Sequence, residues 1–319
     1  MSGGKGMDNE NQTLVMYFIF QGLSDNPKHQ TAFFVLFVTI YIVGIVSNCA
    51  IIAAIATDSR LHTPMYFFIW SLSLVDICIL TAIVPQLLVS TISQRKTISY
   101  SRCIAQLYVF VGMETIDSLL LGAMAYDRYV AICRPLHYFT AMDKKVCTLL
   151  LAGSWVGGFL NSLLYSTMIV TLSFCAANVI QSFFCDVPPL LKLSCSDTSV
   201  IEVLIFTVGT FIGLVSIAPI VMSYTRIIST VLSIRSNKER SKTFSTCSSH
   251  LIVVTLYYGT IVCTEFRPSS SYTLQRDKVV TVMYTIVPML NPFIYSLRSE
   301  QMKQALKKMM GKCTFFCKF

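Results

Sequence analysis

Asp76, Glu114 and Asp117 are carboxylates set in stretches otherwise free of charge, and Asp127 and Arg128 form an adjacent charged pair at the edge of one such stretch. In an apolar setting, groups of these types can hold a small cation, relay a proton, or form an ion pair with two alternative states. Glu114 and Asp117 are three residues apart, so on a helix they point the same way. Phe110, four residues before Glu114, shares that face. No metal-ligand cluster or nucleophile–base pair appears in the apolar stretches, so an enzyme is the least favoured class.

The elements that must position these groups follow from hydropathy. Of the 319 residues, 54% are hydrophobic and 13% charged, against about 25% charged in a soluble domain. Mean hydropathy is +0.63. A membrane span needs about 20 apolar residues in a row. Charge-free stretches of that kind are Thr31 to Thr57, Val146 to Cys185, Val203 to Thr225, Thr243 to Thr264 and Val279 to Leu297. Tyr66 to Gln94 is broken only by Asp76, and Cys103 to Tyr126 only by Glu114 and Asp117. The sequence therefore predicts an all-α membrane protein, a seven-transmembrane-helix bundle with spans near 30–57, 64–90, 103–130, 144–168, 200–230, 241–264 and 274–297. Residues 1–28 form an extracellular tail, 29–297 the membrane domain, and 298–319 a cytoplasmic amphipathic helix and tail. The tail has no basic start followed by an apolar core, so the first span is expected to act as its own insertion signal. Its apolar patch, Val15 to Phe20, is expected to pack against the outer mouth of the bundle. Pro85, Pro219, Pro288 and Pro292 fall inside spans and should bend them, because each removes a backbone hydrogen bond.

The basic residues choose the orientation. With the N-terminus outside, Arg60, Arg128, Arg134, Lys144, Lys145, Arg226, Arg235, Lys238, Arg240, Lys242, Arg298, Lys303, Lys307, Lys308, Lys312 and Lys318 lie inside, 16 of the 25 Lys and Arg. That excess obeys the positive-inside rule. The net charge of +9 reads as an orientation signal and an attraction to anionic inner-leaflet lipid, not as a nucleic-acid surface. The expected location is the plasma membrane. Asn11 opens an Asn-Gln-Thr glycosylation acceptor, usable only on the lumenal side. Cys103, Cys175, Cys185 and Cys195 fall in outer segments, where an oxidising exterior permits two disulfides; four cysteines allow three pairings. After the last span, Met302, Leu306, Met309 and Met310 share one helical face, with Lys303, Lys307 and Lys308 on others, as in an interfacial helix. Cys313 and Cys317 follow it, as palmitoylation sites or as plain cytosolic thiols.

Four segments carry a resemblance. They are Met124-Ala125-Tyr126-Asp127-Arg128-Tyr129-Val130-Ala131-Ile132-Cys133, Leu61-His62-Thr63-Pro64-Met65-Tyr66-Phe67-Phe68, the run Ser241 to Leu251, and the run Pro288 to Arg298. In this order they resemble the signatures of the vertebrate odorant receptors within the rhodopsin-like G-protein-coupled class, and the resemblance runs from about Phe18 to Lys308.

The resemblance implies roles. Asp127, Arg128 and Tyr129 would be the lock at the inner end of span 3. Asn291, Pro292 and Tyr295 would be the inner switch of span 7, with Tyr224 facing it from span 5, and His250 and Tyr258 the switch positions of span 6. Cys103 would bridge to Cys185 and Cys175 to Cys195, fixing the outer loop as a lid. Asp76 and Asp117 would hold a sodium ion that favours the resting receptor, no other cofactor being implied; without an ion the plain alternative is a protonated carboxyl. The family usually carries Glu where this chain has Asp117. The expected ligand is a small volatile odorant and the expected partner a heterotrimeric G protein of the stimulatory olfactory type, raising cyclic AMP, in olfactory sensory cilia. The pocket would be lined by Phe110, Val111, Glu114, Thr115, Val208, Ile212, Tyr258, Ile261, Val262, Glu265 and Tyr284.

Two pocket-level acids depart from the family. Phe110 stands where amine receptors carry an aspartate, yet Glu114 lies one turn deeper, and Glu265 replaces a usual Tyr. They suggest a cationic ligand such as a small amine, in a non-olfactory chemosensory receptor. In the bland alternative Glu114 is protonated or joins the ion site, while Glu265 pairs with Arg267 at the surface. A retinal-bound light sensor needs a lysine within span 7, and Val279 to Leu297 has none. An ion or proton transporter needs an internal repeat or broken half-helices, and neither is visible.

Overall fold

Proline at the first helical position presets φ and sacrifices no needed N–H, and α1 (Pro27–Thr57) and α2 (Pro64–Ile92) both begin on one. A computed structural model describes residues 16–20, 27–92, 96–174, 178–180, 182–265 and 274–316. Between α1 and α2, Asp58 caps a 3₁₀ turn over Ser59–Leu61, accepting the Arg60 N–H and pairing with its guanidinium at 2.7 Å. That pairing holds the exposed Asp58 carboxyl down at about 2. Next come α3 (Tyr100–Cys133), a 3₁₀ turn over Pro135–His137, α4 (Tyr138–Ala141), α5 (Lys144–Val170), α6 (Val187–Lys192), α7 (Ser199–Ser233), α8 (Asn237–Glu265), α9 (Leu274–Arg298) and α10 (Glu300–Phe316). The Asp143 carboxylate accepts the Val146 N–H at 2.8 Å and so starts α5 at the residue expected.

The chain is a helical membrane bundle. Among the described residues α1, α2, α3, α5 and α7 are each long and apolar enough to cross a bilayer, and α8 and α9 take the places of spans 6 and 7. Several helices overrun the expected spans: α3 starts at Tyr100 and ends at Cys133, and α8 starts at Asn237. Apolarity marks the edge of the hydrocarbon, but a helix continues until turn or cap chemistry stops it. Hydroxyls inside the spans are satisfied by their own helix, as where Thr39, Ser154 and Thr225 donate to carbonyls four residues back. That suits a solvent with no hydrogen bonds to offer.

α3 is the central helix, mostly buried against α2, α5, α7 and α8, whereas α7 buries one face, with Ser216, Ile220, Tyr224, Ile227 and Val231, and leaves the rest outward. Small residues permit the closest approach: a Cβ on Gly158 of α5 would lie 2.8 Å from the carbonyl oxygen of Gly112 on α3. The four span prolines are helical as expected. Pro292 has no N–H for the carbonyl of Pro288 four residues back, and the Asn48 amide of α1 donates to that oxygen instead, at 3.1 Å.

One end of the bundle carries a small sheet. β1 (Tyr17–Phe20) is its middle strand, antiparallel to β2 (Thr97–Ser99) and parallel to β3 (Val179–Ile180). Strand periodicity sends Phe18 and Phe20 inward, where they join Ile98, Leu107 and Ile180 in a buried cluster. The patch expected to pack at the mouth is therefore an ordered strand. At the opposite end α10 lies along α1 and the first 3₁₀ turn, with Met302 and Ala305 buried and Leu306 half-buried. Tyr66 and Ser299 hydroxyls, 2.6 Å apart, tie α2 to the start of α10.

Candidate functional site

Three buried polar groups meet where α2, α3 and α9 cross. The Asn291 amide donates to both oxygens of Asp76, at 3.0 and 3.1 Å. Asp76 and Asp117 lie within each other's field. One oxygen of Asp117 and the amide oxygens of Asn291 and Asn48 are buried with no donor among the described residues. Buried acceptors of this kind call for a cation, a proton or a water. Beside them is a void of about 10 Å³ lined by Glu114, Asp117, Tyr257 and Thr260, with Ile79, Val287 and Pro288 as its apolar wall. That is room for one water-sized sphere. An all-oxygen set with a carboxylate fits a hard monovalent cation such as sodium, so Asp76 and Asp117 suit the ion implied by the resemblance.

Toward the end opposite the sheet, three helices are joined by one imidazole. The carbonyl of Leu121 on α3 can only accept, so Nε2 of His250, 3.1 Å away, carries its hydrogen. Nδ1 of the neutral ring then accepts from the Tyr224 hydroxyl of α7 at 2.7 Å. The two rings stack at 5.6 Å. Two turns further along, Ser118 and Tyr258 both donate to the Ser216 hydroxyl, at 2.7 and 2.9 Å, and Ser216 donates to the Gly213 carbonyl. Sequence reasoning included Tyr224, His250 and Tyr258 but missed Ser118 and Ser216, whose only signal is a small hydroxyl inside an apolar span. Tyr295 is buried, its hydroxyl without a partner among the described residues. Pro292 is buried beside it.

Asp127 is fully buried at the end of α3, and Arg128 is nearly so. Their contact is 3.7 Å long, and neither Asp127 Oδ2 nor Arg128 Nε makes a hydrogen bond among the described residues. The other oxygen of Asp127 accepts from the Tyr138 hydroxyl at 2.8 Å. Burial, then the neighbouring Asp127 carboxylate, pushes the Tyr138 phenol up, so it remains a donor at any physiological pH. Tyr138 is a second residue the sequence did not single out. Tyr129 faces away from the pair, its ring under the Arg134 guanidinium at 5.8 Å. Just beyond, Leu136 projects from its 3₁₀ turn with 94% of its surface exposed.

At the sheet end, Cys103 is bridged to Cys185, the pairing the resemblance implies. Gln106 reinforces this bridge, accepting the Cys185 N–H at 2.8 Å and donating to the Ala82 carbonyl of α2 at 2.7 Å. Cys195 is also disulfide-bonded; Cys175 lies outside the described residues. Beneath the loop Phe110 meets Phe184 edge to face, centroids 5.0 Å apart. Val111 and Val208 are half-buried in the cluster under the lid, Ile212 is half-buried further along α7, and Ile261 packs on the main core. Thr115 turns to α5, accepting from the Asn161 amide at 2.9 Å and donating to the Val111 carbonyl. Glu114 is half-buried, and its backbone carbonyl accepts from Tyr257 at 2.7 Å. The side chains of Val262, Glu265, Tyr284 and Cys313, and Asn11, Arg267 and Cys317 altogether, lie outside the described residues.

Comparison with known proteins gives this arrangement its family. The family model described as "Olfactory receptor" matches residues 37–313. The chain is 48% identical to mouse (Mus musculus) olfactory receptor 5AR1 over 307 residues, covering 96% of this chain and 99% of that one. It is 48% identical to human olfactory receptor 1C1 over 311 residues, 97% and 99% of the two chains. With human olfactory receptor 1L6 the identity is 50% over 296 residues, 92% and 85% of the two chains. A bundle ordered around α3, with its buried acids, its Tyr224–His250 bridge and its lid, thus carries the sequence of a non-enzymatic signalling receptor, and the chain belongs to the olfactory receptor family of G-protein-coupled receptors.

Proposed function

We propose that this odorant receptor binds a small volatile ligand under the β1–β2–β3 lid and answers by activating a stimulatory G protein that raises cyclic AMP. The N-terminus is extracellular and the Arg128 end cytoplasmic, and the setting is the plasma membrane of olfactory cilia. The single observation that carries the coupling is the long contact between Asp127 and Arg128, 3.7 Å with no hydrogen bond within it. So loose a pair is a latch that a modest change in the ends of α3, α7 and α8 can release, and Leu136 is a ready anchor for the partner. A ligand that binds the released arrangement better shifts the population toward it. Phe110, Val111, Val208, Ile212 and Ile261 offer apolar contact with few groups to fix orientation, which suits small, weakly polar molecules. Asp76 and Asp117 would hold sodium in the resting arrangement, the ion supplying the charge that their buried oxygens otherwise lack.

A cationic ligand is the second reading, favoured by Glu114, whose carboxylate shares a void with Asp117. The test is cyclic AMP in cells expressing the receptor, screened against volatile molecules with amines included, beside Arg128→Ala. A response abolished by Arg128→Ala is expected. Silence with verified surface expression would overturn the ligand class or the assumed G protein. Amine responses that survive Glu114→Gln would remove the second reading.

A further inference from the structure

The last turns of α3, the Pro135–His137 turn and α4 enclose an open groove of about 580 Å³ beside the Asp127–Arg128 pair. Tyr126, Tyr129 and Val130 form its apolar wall; Arg134, His137 and Thr140 form the polar one. Cys133 and Thr230 touch at 3.3 Å, which places α7 next to the groove.

The charges are unbalanced. Arg134 pairs with no carboxylate among the described residues; its guanidinium lies only over the Tyr129 ring. Of the acids near this end, Asp127 is buried and held by Tyr138 and Arg128, and the exposed Asp143 caps α5, accepting from the Val146 N–H. The His137 ring makes no hydrogen bond among the described residues; only its backbone is used, the N–H donating to the Arg134 carbonyl and the carbonyl accepting from Thr140. A cation and a free imidazole facing one cavity ask for an anion. The apolar wall, with Tyr126 39% exposed toward the surroundings of the bundle, asks for hydrocarbon. Aromatic rings beside basic residues at a span's end mark the level of lipid headgroups.

We propose that this groove binds an anionic phospholipid from the leaflet at the Arg128 end, its phosphate on Arg134 and His137 and its acyl chain along Tyr126 and the exposed side of α7. The groove has the size of a small-molecule site, roughly 300–1,000 Å³, so it takes the headgroup and leaves the tail in the bilayer. One negative headgroup answers both the unpaired cation and the apolar wall, which a free phosphate ion does not. The proposal depends on the membrane bundle and not on the odorant or the G protein.

The test uses full-length receptor in lipid nanodiscs of phosphatidylcholine with and without phosphatidylserine, with retained lipids counted by native mass spectrometry. Arg134→Gln should lower phosphatidylserine retention about fivefold, the worth of one basic residue at an anionic surface. Arg134→Lys should keep most of it, which separates lost charge from lost fold. Lys303→Gln, at a different surface and paired with Glu300, should leave it unchanged. Equal retention by Arg134→Gln and the unaltered receptor would overturn the proposal, as would displacement of the lipid by millimolar inorganic phosphate. Unchanged lipid retention with lost G-protein binding in pure phosphatidylcholine discs would overturn it in favour of a protein-docking surface. None of these readouts needs a ligand, so they stand or fall separately from the odorant reading.

Discussion

The Tyr224 hydroxyl donates to Nδ1 of His250 while Nε2 of the same ring donates to the Leu121 carbonyl, so one neutral imidazole binds α7, α8 and α3 together. Both ring nitrogens are used, and the tautomer is fixed by the carbonyl. Replacing His250 with Phe keeps the stack but removes two hydrogen bonds and leaves the Tyr224 hydroxyl only its long contact with the Cys247 carbonyl at 3.5 Å, each lost bond being worth about 0.5–1.5 kcal/mol. The thermal transition of purified His250→Phe receptor should fall by several degrees, and Tyr224→Phe, which strands only Nδ1, should fall by less. Equal transitions for all three proteins would mean that the bridge carries no stability.

Tyr138 holds Asp127 more firmly than Arg128 does, at 2.8 against 3.7 Å. Tyr138→Phe removes the hydrogen bond that holds that carboxylate among the described residues, and a hydrogen bond to a charged group is worth about 1.5–3 kcal/mol. Basal cyclic AMP per receptor at the surface should rise severalfold. A basal level equal to that of the unaltered receptor would place the latch elsewhere.

Gln106 and the Cys103–Cys185 bridge act on the same loop from the same helix. Loss of a native disulfide costs about 2–5 kcal/mol, so Cys185→Ser should largely abolish surface expression. Gln106→Leu, which strands the Cys185 N–H and the Ala82 carbonyl, should reduce it part of the way. Flow cytometry on an N-terminal epitope measures both. Full surface expression of Gln106→Leu would show the disulfide to be sufficient alone.

The oxygens of Asp117, Asn291 and Asn48, without donors among the described residues, make the proposed sodium site testable. In membranes, replacing potassium chloride by sodium chloride at constant ionic strength should lower basal nucleotide exchange on the G protein. Asp76→Asn should remove that difference. A sodium effect that persists in Asp76→Asn would assign the ion to another site.

Much of the bundle was legible because a bilayer imposes one rule on every span. Apolar stretches located the helices, and in the structure Pro64 and the Asp143 cap stand at the starts of α2 and α5. Tyr224 and His250 were each legible as switch residues, but not as a pair: the resemblance set Tyr224 toward span 7, and the structure joins it to His250. The sheet was not legible: β2 and β3 have three and two residues, too short for any periodicity, and their pairing depends on segments far apart in the chain. Ser118, Ser216 and Gln106 were missed for a related reason. A single small polar residue in a span looks the same whether it bonds its own helix, as Thr39 does, or its neighbours. Thr115 shows the converse, included for its position in the pocket yet engaged with Asn161.

The middle strand of the sheet is the first part of it to be synthesised. Tyr17–Phe20 leaves the ribosome before α1, but its partners Thr97–Ser99 and Val179–Ile180 follow only after two and four of the long helices. Until then Phe18 and Phe20 have no cluster to enter. During biogenesis the nascent N-terminal segment must wait with its hydrophobic side uncovered, as a client for chaperones. Maturation in the secretory pathway is thus tied to the arrival of the loop after α5, and a truncated translation product ending before Val179 would leave the endoplasmic reticulum with that strand unpaired or be held back by it.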